Sequence, residues 1–366
     1  MSVTEDIRSF RELAERFAGR ELEAGAVDRD NYPFVEFNRA ALDAAQETGL
    51  LSVMLPEDLG GVGQGIAALC EVLMPIAQAD ASFAALVFMN TLSQAAVVEW
   101  GTKEIKEKYV NSVIGLPAYD LPHELQEEVA AERTGEGFRL SGRVEYVVPA
   151  PVADALIVPA VLSGTGKVGL FLIDAGAEGV KVGGPVLSLG LRGCPAADVE
   201  LQNAGLPAHA LLCDDANERF PALAARFRPA LAALSTGVCE GSFQAAKAYA
   251  KERYQGGRMI INYDMVRQML ANLAVAAESG KALVRQMAEA AEQGRPWPLS
   301  DAGHIMAAEQ AARAAGDGVQ VLGGYGYMED YGQEKRMRDA KQIANILGAP
   351  PAKRLRLMEE IIRQEE

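Results

Sequence analysis

Apolar residues return at three- and four-residue steps from Ile7 to about Asn111, as in Phe10, Leu13, Phe17 and again Phe37, Ala41, Ala44, Ala45, which lines up one face of successive helices. The run Leu55-Pro56-Glu57-Asp58-Leu59-Gly60-Gly61-Val62-Gly63 cannot stay helical, because proline lacks the amide donor and adjacent glycines favour a turn. Between Leu116 and Leu212 the period shortens: Phe138–Val148, Ala155–Val161 and Val168–Ile173 read as short strands separated by glycine or proline. Turns after each run, with no helices between them, predict an antiparallel sheet or small barrel. From Pro221 the helical period resumes with Leu231, Leu234, Val238, then Met269, Leu273, Ala277, then Ala308, Ala312, Ala315, Val319, Leu322, and a last helix carries Leu355, Met358 and Ile362 on one face. Ser300, before Asp301, is positioned to cap the third of these. The pattern predicts an α+β multidomain chain: a helical domain over 1–115, an antiparallel β domain over 116–220 and a four-helix bundle over 221–366 with an outer face for oligomerisation.

Composition narrows the function. With 366 residues, 49% of them hydrophobic and 23% charged, the chain can bury a sizeable core. Its 35 basic and 50 acidic residues leave a net charge of -15, which repels a phosphate backbone and argues against nucleic acid as a partner. Cys70, Cys194, Cys213 and Cys239 lie far apart without metal-ligand spacing, so they read as core residues in a reducing compartment. The acidic, polar start and the lack of an apolar run near the length of a membrane span predict a cytoplasmic protein with no such span.

Three segments together resemble the acyl-CoA dehydrogenase family. These are Gly49-Leu50 with the Leu55–Gly63 turn, then Tyr249-Ala250-Lys251-Glu252-Arg253, and Gln320-Val321-Leu322-Gly323-Gly324-Tyr325-Gly326-Tyr327 followed by Glu334-Lys335 and Met337-Arg338-Asp339-Ala340-Lys341. The resemblance implies FAD as cofactor, an acyl-CoA thioester as substrate and an electron-transfer flavoprotein as acceptor. In that chemistry a desolvated carboxylate takes the α proton while hydride leaves the β carbon for the flavin. It also implies that FAD lies across a subunit boundary, its ADP half held by the neighbour.

The ADP-facing set is retained: Arg253 for the diphosphate, with Gln320, Gly323 and Gly324 in the adenine and diphosphate loop. Two neighbours depart from the family: Gly256 stands where a phenylalanine is usual, and Asp264 where a glutamine is common. The flavin-facing set is dismantled. The family's Thr-Glu-Pro-x-x-Gly-Ser-Asp loop has no counterpart between Tyr109 and Ala131, where the chain reads Leu116-Pro117-Ala118-Tyr119-Asp120-Leu121-Pro122-His123-Glu124. Trp-x-Thr aligns with Tyr146-Val147-Val148, which keeps an aromatic wall and loses the hydroxyl donor. The catalytic glutamate is absent from both its usual positions, which hold Leu347 and Phe227, while Arg228 beside the latter is the candidate contact for CoA. Glu240 and Glu329-Asp330 are the carboxylates formally available as replacements, and His123, His209 and His304 form no nucleophilic constellation.

Losses in one place and retention in another predict a non-catalytic subunit of a heteromeric, α2β2 acyl-CoA dehydrogenase, completing the FAD site of a homologous catalytic partner. By family analogy such complexes act on bulky substrates, steroid side-chain CoA esters among them. A self-sufficient homotetrameric flavoenzyme with a displaced base and a flavin-free structural or acyl-CoA-binding protein are the alternatives.

Overall fold

Three helix starts in the first third of the chain are set by side-chain caps. Asn38 accepts from the Ala41 amide at 3.2 Å, Asp80 from Ser82 at 3.0 Å and Thr102 from Ile105 at 3.3 Å, each satisfying a donor that the first turn leaves open. This computed structural model describes residues 3–31, 37–118, 129–295 and 299–365. Its first helices are α1 (Val3–Phe17), α2 (Arg39–Glu47), α3 (Ile66–Ala79), α4 (Ala81–Trp100) and α5 (Lys103–Tyr109). The expected break at Leu55–Gly63 is a turn in which Gly60 and Gly63 have φ of +82° and +69°.

Among the described residues eight strands follow: β1 (Ile114–Pro117), β2 (Val129–Arg133), β3 (Gly137–Val148), β4 (Ala155–Leu162), β5 (Val168–Asp174), β6 (Val180–Val182), β7 (Ala197–Pro207) and β8 (Leu211–Cys213). They form one sheet in the order β6-β7-β3-β1-β4-β5-β8, with β2 pairing β3 and β4. The antiparallel expectation needs one correction, since β1 and β2 both run parallel to β4. Strands β1 and β2 lie in line between β3 and β4, so the chain crosses them in passing from β3 to β4, a connection that strand patterning does not reveal. Alternate residues of β4 and β5 serve two cores: Ile157, Leu170 and Leu172 face the helices, whereas Leu156, Val158, Phe171 and Ile173 fill the sheet's own core.

The remaining helices are α6 (Ala216–Arg226), α7 (Arg228–Glu252), α8 (Asp264–Glu292), α9 (Leu299–Leu322), α10 (Gln333–Ile343) and α11 (Pro350–Glu365). A short hairpin, β9 (Tyr254–Gln255) and β10 (Arg258–Met259), joins α7 to α8. Helix α7 is the axis of this bundle and packs on α3, α8, α9 and α10. Its approach to α3 needs a missing side chain, because a Cβ at Gly237 would sit 2.4 Å from the Met74 carbonyl oxygen. Ser300 is not a cap: α9 already starts at Leu299, so Ser300 and Asp301 lie in its first turn.

Helix α4 corrects the statement that no apolar run approaches membrane-span length. Ala81–Trp100 is long and apolar enough, but it is largely buried inside the protein, as a core helix would be. Its polar members Asn90, Thr91 and Ser93 are engaged: Asn90 Oδ1 accepts from the Ile114 amide, and the two hydroxyls donate to carbonyls one turn back. All four cysteines are buried free thiols, as expected.

One buried ion network ties the helical units to the β unit. Lys335 on α10 lies 2.7 Å from Asp339 and 3.3 Å from Asp80, the cap of α4. Asp339 in turn accepts from the Leu191 amide at 2.7 Å. Arg338 pairs with Asp30 and with Glu334, and donates to the Leu189 carbonyl at 3.0 Å. Burial alone would lower the Lys335 pKa, but Asp339, Asp80 and Asp30 outweigh it and push it up.

Candidate functional site

The end of α7 and the turn after α9 together form an open cleft of about 870 Å³. Arg253, Gly256, Tyr263, Gly323, Gly324 and Tyr325 are among the residues that line it. Arg253 follows the last residue of α7, and its guanidinium lies 5.4 Å from the Tyr325 ring centre. Nη2 makes a loose 3.5 Å contact with Gln255, and the buried Nε has no partner. Arg253 lines this open volume with one loose side-chain contact, and a guanidinium so placed is what an anionic ligand needs. Tyr249, Tyr325 and Tyr331 pack against one another in tilted and edge-on contacts with ring centres 5.0 to 6.2 Å apart, which stiffens that wall. A Cβ at Gly323 or Gly324 would meet nothing within 4 Å, so the backbone faces free space there. Arg253, Gly323 and Gly324 are thus brought together as expected from sequence. Gln320 is exposed one turn earlier on α9 and is not among the lining residues. Asp264 begins α8, exposed and 3.6 Å from Arg267, where its charge suits the helix N-terminus. These residues fit the ADP half of FAD.

The flavin-facing positions are closed. Tyr146 does form a wall, held by its amide on Asp198 at 2.9 Å and by Gln342, whose amide donates to its hydroxyl at 2.8 Å. Between this wall, Val148, Leu191, Cys194 and Ile346 the free space is about 20 Å³, against the ~300 Å³ or more usual for a ligand pocket. Among the described residues, none that lines it is acidic. Leu347 is buried, and its amide donates to the Ala118 carbonyl at 2.9 Å, stitching this turn to the end of β1. Phe227 is buried and packs edge-on against Phe88 at 6.2 Å. The flavin ring does not fit this space. Tyr119 to Glu124, with His123, lie outside the described residues.

The candidate replacement carboxylates are engaged elsewhere. Glu240 pairs with Lys281 at 2.8 Å and accepts from Gln244 at 2.6 Å. Burial raises its pKa, but those two partners and Lys247 carry it below the usual value, the opposite of what a base requires. Glu329 and Asp330 sit on an exposed turn. An apolar cavity of about 360 Å³ beside Phe227 includes Glu99 and Glu292, which no local pattern in the sequence connects with Phe227. There Glu99 is bound to Arg226, and Glu292 accepts from the Ala67 amide at 3.0 Å. His209 lies 4.0 Å from Glu104 on the surface.

Arg228, the candidate CoA contact, turns inward instead. Its Nε is 2.5 Å from Asp301, with side-chain exposures of 14% and 7%. Beside the pair, Lys353 donates to the carbonyls of Ala344 and Ile346 at 2.9 and 2.8 Å and lies 3.0 Å from His304 Nε2. Burial keeps His304 neutral, and burial with the Arg228 charge lowers Lys353 to about 7. An unfolded lysine holds its proton until about pH 10.4, so between these values the unfolded chain binds more protons and folding gains from rising pH. The cost of burying the charge is therefore full below pH 7 and fades above it. Urea unfolding of wild type and Lys353→Met at pH 7 and pH 9 checks this: the wild type should gain on the variant by about 1–2 kcal/mol, and parallel behaviour would exclude the shift.

Comparison with known proteins agrees with this anatomy. Residues 4–115 match the family described as "Acyl-CoA dehydrogenase, N-terminal domain", and residues 222–360 match "Acyl-CoA dehydrogenase, C-terminal domain". The chain is 28% identical to the cyclohexane-1-carbonyl-CoA dehydrogenase of Geobacter metallireducens, with 99% of each covered. It is also 28% identical to the 3-(aryl)acrylate reductase of Clostridium sporogenes, covering 99% of this chain and 100% of that one. The solved structure of butyryl-CoA dehydrogenase from Megasphaera elsdenii superposes with a TM-score of 0.90 at 21% identity, covering 99% of both. Matches over both helical units, in the order the elements require, establish that this chain belongs to the acyl-CoA dehydrogenase family of FAD-dependent oxidoreductases.

Proposed function

We propose that this chain is the non-catalytic subunit of a heteromeric acyl-CoA dehydrogenase, α2β2 in composition, and that it completes the FAD site of a homologous catalytic subunit. The observation that carries the proposal is a contrast: the Arg253 cleft offers about 870 Å³, while the space between Tyr146 and Ile346 offers about 20 Å³. A chain built this way holds one end of a dinucleotide and leaves the ring, the base and the acyl-CoA chemistry to its partner. We assign the cofactor-completing and oligomerising role to the third unit, 221–366, with Gln320 joining Arg253, Gly323 and Gly324 once the partner is present.

The surface supports this assignment. Among the described residues, every exposed large apolar side chain except Leu187 and Leu189 lies from residue 254 onward. Tyr327 is 71% exposed beside the cleft, and Leu355, Met358 and Ile362 present the α11 face to solvent. Apolar surface gathered on one unit marks a contact with another chain. The proposal retains an acyl-CoA substrate and an electron-transfer flavoprotein acceptor for the complex, with the cytoplasm as its compartment.

Purification of this chain alone, and again after co-expression with a homologous dehydrogenase, tests the reading by the visible flavin spectrum. We expect no flavin in the lone protein and one FAD per pair of unlike chains. One flavin per protomer in the lone protein, bleached by an acyl-CoA, would establish a self-sufficient enzyme instead, and flavin in neither sample would leave a structural role.

A further inference from the structure

Gly256, where an aromatic residue is usual in this family, has φ of +64°, and a Cβ built there would lie 2.3 Å from the Tyr263 hydroxyl. That hydroxyl has work of its own. It stands 3.0 Å from the Gln255 carbonyl and 2.7 Å from the Gly256 carbonyl, and its single proton is shared between them. The Arg258 guanidinium covers the Tyr263 ring at 4.0 Å from its centre, so the phenol is held from the strand side as well. The pinned segment leads directly to the cleft: Gln255 supplies the side-chain oxygen nearest Arg253 Nη2, and the Ile260 amide closes on the Arg253 carbonyl at 2.8 Å.

We infer that Tyr263 is a positioning residue for Arg253. By fixing the 254–259 hairpin it keeps the guanidinium along the cleft wall, where its charge faces an anionic group such as the diphosphate of a dinucleotide. Gly256 is the complementary half of this device, since any side chain there would displace the hydroxyl. This inference rests on reading the cleft as the ADP end of a shared FAD site. A tyrosine that merely stabilised the hairpin would alter the melting temperature and leave ligand affinity unchanged.

The test uses the complex of this chain with its catalytic partner, stripped of FAD and titrated with FAD while flavin fluorescence is followed. Tyr263→Phe should raise the FAD Kd about tenfold with the melting temperature within about a degree of wild type. Gly256→Ala should also raise it, and the double variant should be weakened by clearly less than the product of the two factors, because the clash partner has gone. An unchanged Kd in Tyr263→Phe, or two factors that multiply, overturns the inference while leaving the cleft assignment standing. A wild-type complex that takes up no FAD overturns both.

Discussion

Lys335→Met should be among the most damaging substitutions in the protein, lowering stability by about 3–5 kcal/mol, the range seen when one member of a buried ion pair is removed. The side chain is 7% exposed, and its ammonium is the counter-charge of Asp339 and Asp80, which are themselves almost fully buried. Methionine fills a similar volume but removes the ammonium that lies between two buried carboxylates. Asp80 keeps Arg29 at 3.6 Å and the Ser82 amide at 3.0 Å, and Asp339 keeps the Leu191 amide at 2.7 Å, with the Arg336 charge near both. With an unfolding entropy of about 2.1 cal/mol/K per residue, a cooperative transition of this chain would shift down by roughly 5 °C. Arg8→Met, which removes an exposed partner of Glu12, is the control and should cost no more than about 0.5 kcal/mol. Thermal melts of the two variants decide the matter: equal small shifts would mean that the network carries no stability.

That network also shows where sequence reading stops. Glu334-Lys335 and Met337-Arg338-Asp339-Ala340-Lys341 were legible as a family signature, yet their physical task was not, because the partners Asp30, Asp80 and the Leu191 amide come from distant parts of the chain. The same holds for Glu240, whose position in an apolar stretch suggested an available carboxylate until α8 supplied Lys281. Arg228 likewise meets Asp301 only through the packing of α7 on α9. Periodicity located the strands β3, β4 and β5 to within a residue and the helical stretches in outline, since local spacing determines which face is buried. It could not give the parallel pairing of β1 and β2 with β4, which depends on how a connection crosses the sheet. For Leu347 and Phe227 the sequence spoke clearly, because no packing turns a hydrocarbon into a proton acceptor. Next to Leu347, at Ile346, neighbouring side chains leave only about 20 Å³, whereas Phe227 borders the cavity of about 360 Å³, whose carboxylates Glu99 and Glu292 are already engaged.

Arg253→Ala should leave this chain folded and weaken FAD binding by the assembled complex about 100-fold. The fold depends little on the side chain: its protein partners are a 3.5 Å contact with Gln255 and the face of Tyr325. What it offers a diphosphate is larger, since charge-assisted hydrogen bonds contribute about 1.5–3 kcal/mol each and a 100-fold change corresponds to about 2.7 kcal/mol. Arg253→Lys should recover only part of the affinity, because an ammonium restores the charge but not the planar fork that a diphosphate accepts. Arg228→Ala provides the opposite pattern. It should destabilise the chain by leaving Asp301 buried without its cation, while FAD affinity per folded complex stays at the wild-type value. Flavin release from the complex, measured against its melting temperature for all three variants, separates a cofactor ligand from a structural cation. If Arg253→Ala retained FAD as tightly as wild type, the cleft would have no part in the partner's site, and the retained glycines and arginine would need another explanation.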